Sequence, residues 1–436
     1  MKIVQIVPGS GDSFYCENCV RDTALVKALR RQGHDVILLP MYLPLTLDDP
    51  NIHAGTPVFY GAINTYLKEK VPAMRRAPRF VEKMLDSPGL LEWAAAKAGS
   101  TRAQGLEEMT LSILRGDQGN QARELDRMVD WLEANSRPEI IHLSNSMLLG
   151  LAAPLKKRLR VPVVCSLQDE DGWINAMDPE KVELVWKTMS EKAADADAFI
   201  AVSRYYADLM VKQLSIPRDK MNVVHVGIDL DGYDQAPLNF RPPTIGYLSR
   251  LTESLGLGFL VEAFLRLKAD PELKHIRLRG TGGMTKDDEA FIALIEKRVQ
   301  KMHWENDIDF VAEFDRRSRQ RFIQTLSVMC VPSPAPVAFA THSIEAMACG
   351  VPVVEPELGA YPEIIEATGG GLLYDPNDMG MLEESLSRIL SDPKYAAELG
   401  RKGRKAVHAD FGIDTIAARM VSTYEAVRKA GEWWDN

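Results

Sequence analysis

The sequence predicts an α/β fold made of two doubly wound parallel sheets, and three observations support this prediction. Short β-branched runs alternate with amphipathic helical runs along most of the chain. The chain has 436 residues, whereas single domains usually hold about 100–200. A turn-rich stretch at 231–243 interrupts the alternation, which then restarts. Two Rossmann-like domains joined there would place a ligand cleft between the carboxyl ends of both sheets.

In the first half, apolar runs of four to six residues predict strands, and apolar residues spaced three and four apart predict helices. The expected strands are 2–7, 35–39, 140–143, 161–166, 199–202 and 222–225. The expected helices are one ending near residue 32 and others near 147–159, 179–194 and 203–213. The segment from about 61 to 137 has helical spacing and almost no strand signal, which predicts a helical insertion.

The second half repeats the alternation after the linker. The expected strands are 244–248, 276–278, 308–311, 328–332, 352–355 and 371–373. The expected helices include 258–268, 286–302, 343–349, 380–391 and a terminal helix at about 415–430.

Composition excludes several classes of protein. Apolar residues make up 46% and charged residues 26% of the chain, so disordered and fibrous classes are excluded. The net charge of −9 argues against a general nucleic-acid binder but leaves room for a local basic pocket. Five scattered cysteines do not form a disulfide framework, and no apolar run approaches the roughly 18 residues that span a bilayer. We therefore expect a cytoplasmic protein.

Two segments have the character of phosphate or nucleotide sites. The loop 8–13 contains Gly9 and Gly11 after the first strand, where glycines let a phosphate approach a helix N-terminus; a simple tight turn is equally consistent. At 340–353, Thr341 or Ser343 can cap a helix that ends at Gly350. Glu345 then falls early in this helix, where it would either accept two ribose hydroxyls or serve as a capping acid.

The run 343–354, followed by 359–365, resembles the donor-site signature of family-4 glycosyltransferases, which are two-domain retaining enzymes of the glycogen-synthase and sucrose-synthase type. Further matches follow in the family's order at 33–36, 224–229, 246–251 and 279–282. The resemblance implies the GT-B fold, with two Rossmann-like domains facing across a cleft. It implies an acceptor-side domain at 1–234, a nucleotide-sugar-binding domain at 235–412, and a terminal helix within 413–436 that returns to the first domain.

The resemblance also implies a hexosyltransferase that uses a nucleotide-diphospho-sugar, with retained anomeric configuration, no enzymic nucleophile and no metal. Arg250 would hold the diphosphate and Glu345 the ribose. Amides near Thr341, His342 and Ser343 would bind the distal phosphate. Gly11 would lie against the phosphates across the cleft, and Arg279, before a glycine-rich turn, is a further donor-site candidate.

The sequence departs from the family at informative places. Leu255 stands where the family has a lysine for the diphosphate, and Val337 where a carboxylate contacts the donor sugar. One hypothesis is that a nearby arginine replaces the missing cation; a solvated basic face is the alternative. The arginines considered are Arg279, Arg316, Arg317, Arg319 and Arg321.

On the acceptor side, the acidic loop after the strand at 161–166 is the main candidate. Asp169 is a candidate catalytic residue, since carboxylates there can orient acceptor hydroxyls or assist proton removal. Glu170 lies beside it, and Trp173 offers a face for sugar stacking. A solvated loop is the alternative. His142 is a weaker candidate, since such a histidine is more often structural.

Two other features stay open. Cys16 and Cys19 form a single C-x-x-C, for which local packing is favoured over substrate contact, metal or redox roles. The basic segment 68–83 would be either a membrane-surface helix or a solvated face.

For the whole chain, two rivals to a glycosyltransferase remain. One is a catalytically weakened GT-B protein that binds a nucleotide, sugar or protein partner. The other is a nucleotide-sugar epimerase.

Overall fold

The computed structural model describes residues 1–8, 17–42, 56–57, 59–60, 103–238 and 240–431, which divide into two compact units. Several segments singled out from the sequence lie outside the described residues. These are Gly11, Cys16, residues 61–102 of the predicted insertion, and the basic segment 68–83.

The first unit is built on a six-stranded parallel sheet in the order β2-β1-β3-β4-β5-β6. Its strands are β1 (Lys2–Val7), β2 (Asp35–Pro40), β3 (Ile140–Ser144), β4 (Val163–Leu167), β5 (Ala198–Ala201) and β6 (Met221–Val223). Its helices are α1 (Glu17–Arg31), α2 (Glu107–Leu114), α3 (Ala122–Asn135), α4 (Ala152–Leu159), α5 (Glu170–Asn175), α6 (Pro179–Ala193) and α7 (Arg204–Gln213). Every residue of β3 and β4 is buried, as expected for central strands covered on both faces.

The second unit is built on a parallel sheet in the order β12-β11-β10-β7-β8-β9. Its strands are β7 (Thr244–Leu248), β8 (Arg277–Thr281), β9 (Ile308–Val311), β10 (Val328–Met329), β11 (Val353–Pro356) and β12 (Gly371–Tyr374). Its helices are α8 (Leu257–Lys268), α9 (Glu289–Lys301), α10 (Arg316–Ile323), α11 (Thr341–Ala348), α12 (Tyr361–Thr368), α13 (Met379–Ser391) and α14 (Pro393–Asp410). The strand order reverses between β7 and β10, and ligands of such sheets bind at the carboxyl ends beside that reversal.

The last helix, α15 (Ile413–Gly431), begins in the second unit, and from Ile416 onward it is grouped with the first. Within the first unit, the hydroxyl of Tyr424 lies 2.8 Å from Nδ1 of His142, and Arg428 pairs with Glu139 at 2.8 Å. His142 Nε2 lies 2.7 Å from the hydroxyl of Ser166. The fully buried His142 therefore connects β3 to β4 and to α15.

The predicted α/β fold with two parallel sheets is confirmed. In the part of the insertion that the structure describes, residues 103–137 contain α2, α3 and a short 3₁₀ turn, and no strand. None of the described helices combines the length and apolar character needed to cross a bilayer.

The turn into α8 generates a first prediction. Gly256 has φ +81°, and a Cβ there would lie 1.9 Å from the carbonyl oxygen of Pro332. Gly369 has φ +60°, but a Cβ there would come no closer than 3.7 Å, to a carbon of Lys402. Both Gly→Ala changes impose left-handed strain of about 1–2 kcal/mol, and only Gly256→Ala adds a backbone overlap. We expect a clearly larger loss of unfolding free energy for Gly256→Ala in urea titrations. Equal losses would contradict the close approach.

His142 generates a second prediction. Burial, with a smaller contribution from Arg21, lowers the pKa of His142 to about 3. Because the unfolded chain protonates histidine near pH 6.5, the contribution of His142 to stability is present above that pH and declines as the pH falls toward 3. Urea titrations at several pH values should show a steeper acid-side loss for the wild type than for His142→Gln. Parallel curves would contradict the prediction.

Candidate active site

Arg250 lies just past the end of β7, at the carboxyl edge of the second sheet. Its Nε donates to Asp288 Oδ2 at 2.8 Å, and its Nη2 donates to the hydroxyl of Thr285 at 2.8 Å. Burial alone would raise the pKa of Asp288, but hydrogen bonds from Thr285 and Arg250 hold it below its usual value. The side chain of Arg250 is 32% exposed. The ionised carboxylate thus holds a partly accessible guanidinium in place.

Backbone hydrogen bonds connect the loops after β7 and β8, and they fix the backbone on either side of Arg250. The amide of Ser249 donates to the carbonyl of Thr281, and that of Leu251 to the carbonyl of Gly283. Gly282 has φ +132°, and a Cβ there would lie 2.2 Å from the carbonyl oxygen of Ser249. Only glycine allows the two loops to approach this closely.

The first turn of α11 lies in the chain segment that follows β10. Ala340 is the N-cap residue and provides no side-chain hydrogen bond to the helix. The hydroxyl of Ser343 instead donates to Glu355 Oε1 at 2.8 Å, and His342 Nε2 lies 3.1 Å from the same oxygen. The polar side chains of the first turn therefore point into the unit, and the helix start keeps its partial positive charge. Thr341 is also buried there.

Glu345, predicted to hold a ribose, is deeply buried. Its Oε1 accepts hydrogen bonds from the hydroxyl of Tyr233 and from Nε of Arg319, the latter at 3.1 Å. Glu345 and Arg319 side chains are each 1% exposed. Burial raises the pKa of Tyr233, and the charge of Glu345 raises it further. Sequence reasoning missed Tyr233 as a partner of Glu345, because no local spacing connects residues 112 positions apart.

Three of the five arginines considered as replacement cations form ion pairs with carboxylates of the second unit. Arg319 pairs with Glu345, Arg316 pairs with Asp229 at 3.0 Å, and Arg279 pairs with Asp309 at 2.9 Å.

Arg279 also donates to the hydroxyl of Thr325, which lies shortly before β10, at 2.8 Å. It lines a cavity of about 310 Å³ together with Thr244 and Arg277, the first residues of β7 and β8. The structure does not bring Arg279 together with Arg250. Arg317 and Arg321 are exposed.

In the first unit, Glu170 organises the loop at the carboxyl end of β4. Its two oxygens accept hydrogen bonds from the amides of Ser146, Gln168 and Asp169 and from the hydroxyl of Tyr206, at 2.7–3.1 Å. With 1% exposure, Glu170 holds this loop from inside.

The neighbours of Glu170 differ in accessibility. Asp169 is exposed and has φ +113°, a left-handed conformation that costs a non-glycine residue about 1–3 kcal/mol and that is concentrated at functional sites. Trp173 is half-buried. His142, by contrast, is fully buried between two hydroxyls and held neutral. Within the described ranges, no group of three His, Cys, Asp or Glu side chains is placed to hold a metal ion.

Comparison with known proteins connects both units to one family. Residues 20–227 match the model of the glycosyl transferase 4-like domain, and residues 234–406 match that of glycosyl transferases group 1. A glycogen synthase of Mycobacterium tuberculosis is 22% identical over 300 residues, which is 67% of this chain and 70% of the relative. Two other relatives, 25% and 26% identical, align over only 53% and 64% of their own length.

Solved structures give the same fold. The sucrose-phosphate synthase of Thermosynechococcus elongatus superposes with a TM-score of 0.70 at 19% identity, over 99% of this chain and 100% of the other. The Anabaena protein Alr3699/HepE, in complex with UDP-glucose, has a TM-score of 0.66 at 17% identity, over 98% of this chain and 100% of the other. The two family matches together cover most of both units, in the order of the sequence motifs, and the chain therefore belongs to the family-4, group-1 glycosyltransferases, with their GT-B fold.

Proposed function

We propose that the chain transfers a sugar from a nucleotide-diphospho-sugar to an acceptor hydroxyl, with the donor bound at the carboxyl edge of the second sheet. The observation that carries the proposal is the match of residues 234–406 to a glycosyltransferase family together with the position of Arg250 and the start of α11. Both provide positive charge at the edge where such sheets bind ligands.

The reaction needs electrostatic stabilisation, because negative charge accumulates on the leaving diphosphate. In this proposal Arg250, anchored by Asp288, donates to the diphosphate, and the first-turn amides of α11 donate to its distal phosphate. Transfer proceeds with retention of anomeric configuration and without an enzymic nucleophile, as the family resemblance implies. Glu345, held by Tyr233 and Arg319, orients the ribose.

Acceptor recognition is proposed for the loop that Glu170 holds in the first unit. Asp169 is the exposed carboxylate of that loop and would orient an acceptor hydroxyl, and the half-buried Trp173 would stack on a sugar ring. UDP-glucose is the first donor to test, since it is bound in the similar Anabaena structure.

A second candidate function is a binding protein that keeps the fold with little catalysis. Leu255 and Val337, which replace a family cation and a family carboxylate, favour it.

Single-turnover assays separate the two functions. With enzyme in excess over labelled UDP-, GDP- or ADP-sugars and a panel of sugar acceptors, we expect nucleoside diphosphate release with one donor. Measurable binding without release from any donor would favour the binding protein. If the chain neither binds any of these nucleotide-sugars nor releases nucleoside diphosphate from them, both candidate functions are contradicted.

The proposal predicts a strong effect of Arg250→Gln. Removal of one donor to the developing charge costs about 2.7–4 kcal/mol, so turnover should fall about a hundredfold or more. Rates of sugar transfer give the measurement, with thermal unfolding to confirm the fold. Arg266→Gln, which removes an exposed ion pair with Glu262 on α8, is the matched control and should leave turnover unchanged. Equal effects of both variants would refute the role of Arg250.

A further inference from the structure

A cavity of about 310 Å³ lies at the amino-terminal edge of the second sheet, where the first residues of β7 and β8 are neighbours. Arg250 and the start of α11 follow the carboxyl ends of their strands, which lie at the opposite edge of a parallel sheet. The cavity is therefore separate from the proposed donor site. Its volume is at the lower end of the range for ligand pockets, about 300–1,000 Å³, so it suits a small molecule.

The charged face of the cavity is built from two neighbouring strands. Arg279 on β8 is in register with Asp309 on β9, and the two side chains form an ion pair at 2.9 Å. Two residues earlier on each chain segment stand Arg277 and Asp307, which also line the cavity. Side chains two residues apart on a strand point to the same side. This register by itself predicts a second ion pair, between Arg277 and Asp307.

Lys268 takes the place of Arg277 in that second pair. Its Nζ lies 3.0 Å from Asp307 Oδ2 and also donates to the carbonyls of Lys274 and Ile276. The side chain of Lys268 is only 4% exposed, and a buried ammonium needs such partners. Within the described residues, the guanidinium of Arg277 is left without a hydrogen bond or an ion pair. The cavity thus contains one cation in excess of its carboxylates.

Other side chains of the cavity keep unused hydrogen-bonding atoms. The ion pairs occupy Oδ2 of both Asp307 and Asp309, and neither Oδ1 has a partner among the residues that the structure describes. The same holds for the side-chain amide of Asn306. The hydroxyl of Thr244 donates to the carbonyl of Pro242 at 3.2 Å, and its oxygen can still accept. Several acceptors beside one unpaired cation suit a ligand that has hydroxyl groups and one anionic group.

We propose that this cavity binds a small hydroxylated anion, a sugar phosphate or a sugar acid. The guanidinium of Arg277 holds the anionic group, since its planar fork matches phosphate and carboxylate oxygens. The ligand hydroxyls donate to the two carboxylates and bond to the amide of Asn306. Arg279 is less suited to hold the anion, because Asp309 and the hydroxyl of Thr325 already engage it. A divalent cation is disfavoured by the three positive side chains around the two carboxylates.

Isothermal titration calorimetry of the full chain at low ionic strength tests the site. The probes are glucose 6-phosphate, ribose 5-phosphate, gluconate and inorganic phosphate. We expect at least one of the three sugar anions to bind more tightly than inorganic phosphate, because only they engage both the guanidinium and the acceptors. The phosphates and gluconate together show which anionic group is preferred. Saturation with UDP should leave the affinity for the sugar anion unchanged, since the two ligands bind at opposite edges of the sheet.

Variants at exposed positions test the role of Arg277. Arg277→Gln should weaken binding of the sugar anion about tenfold or more, as expected for the loss of a charge-assisted hydrogen bond. Arg277→Lys keeps the charge and should retain most of the affinity. Arg401→Gln removes an exposed arginine on α14 and is the matched control, with the affinity of the wild type. All three variants should bind UDP-glucose as the wild type does.

Four results would each overturn the inference. These are equal affinities of the wild type and Arg277→Gln, displacement of the sugar anion by UDP, binding of inorganic phosphate as tight as that of the sugar anions, and no heat of binding from any sugar anion. The proposed function is tested separately, because its donor binds at the other edge. Binding of a sugar anion without binding of any nucleotide-sugar would contradict the proposed function alone, and the reverse would contradict this inference alone.

Discussion

The buried ion pair between Arg319 and Glu345 holds α10 against α11, and the position of the candidate donor site depends on it. Both side chains are 1% exposed, and burial of two charges is tolerated only when geometry and additional hydrogen bonds are good. Tyr233 donates to Glu345, and Arg319 donates to the carbonyl of Phe314. Loss of either charged partner would leave an uncompensated buried charge. Because Arg319 contacts both Glu345 on α11 and the carbonyl of Phe314, it ties α11 to the end of the loop before α10.

Ion pairs engage several of the carboxylates in the second unit of this acidic chain. The net charge is −9, yet several carboxylates of the second unit are paired with arginines: Asp288 with Arg250, Asp229 with Arg316 and Glu345 with Arg319. Within its ion pair with Asp288, the side chain of Arg250 stays 32% exposed, and the start of α11 adds the positive end of its helix dipole.

Strands were predictable to within a few residues because most contain a short apolar run, as β1 and β4 do. Among the helices that were not predicted, α14 and α10 are instructive. The start of α14 is marked by Asp392 as the N-cap residue and Pro393 at the first helical position, a signal that apolar periodicity does not contain. α10 is rich in arginine and lacks an apolar stripe, so nothing local indicated that Arg319 would be buried.

The fold class, the family and the places where the family motif is broken could be read from the sequence, because these follow from periodicity and from residues close together in the chain. The contacts of the candidate side chains, by contrast, are known only from the folded molecule. It placed Glu345 and Glu355 in the interior, held Glu170 beneath the loop that presents Asp169, buried His142 as a neutral link to α15, and directed Arg279 to Asp309. The physical reason is that burial and ion pairing depend on partners tens or hundreds of residues away, which local spacing does not encode.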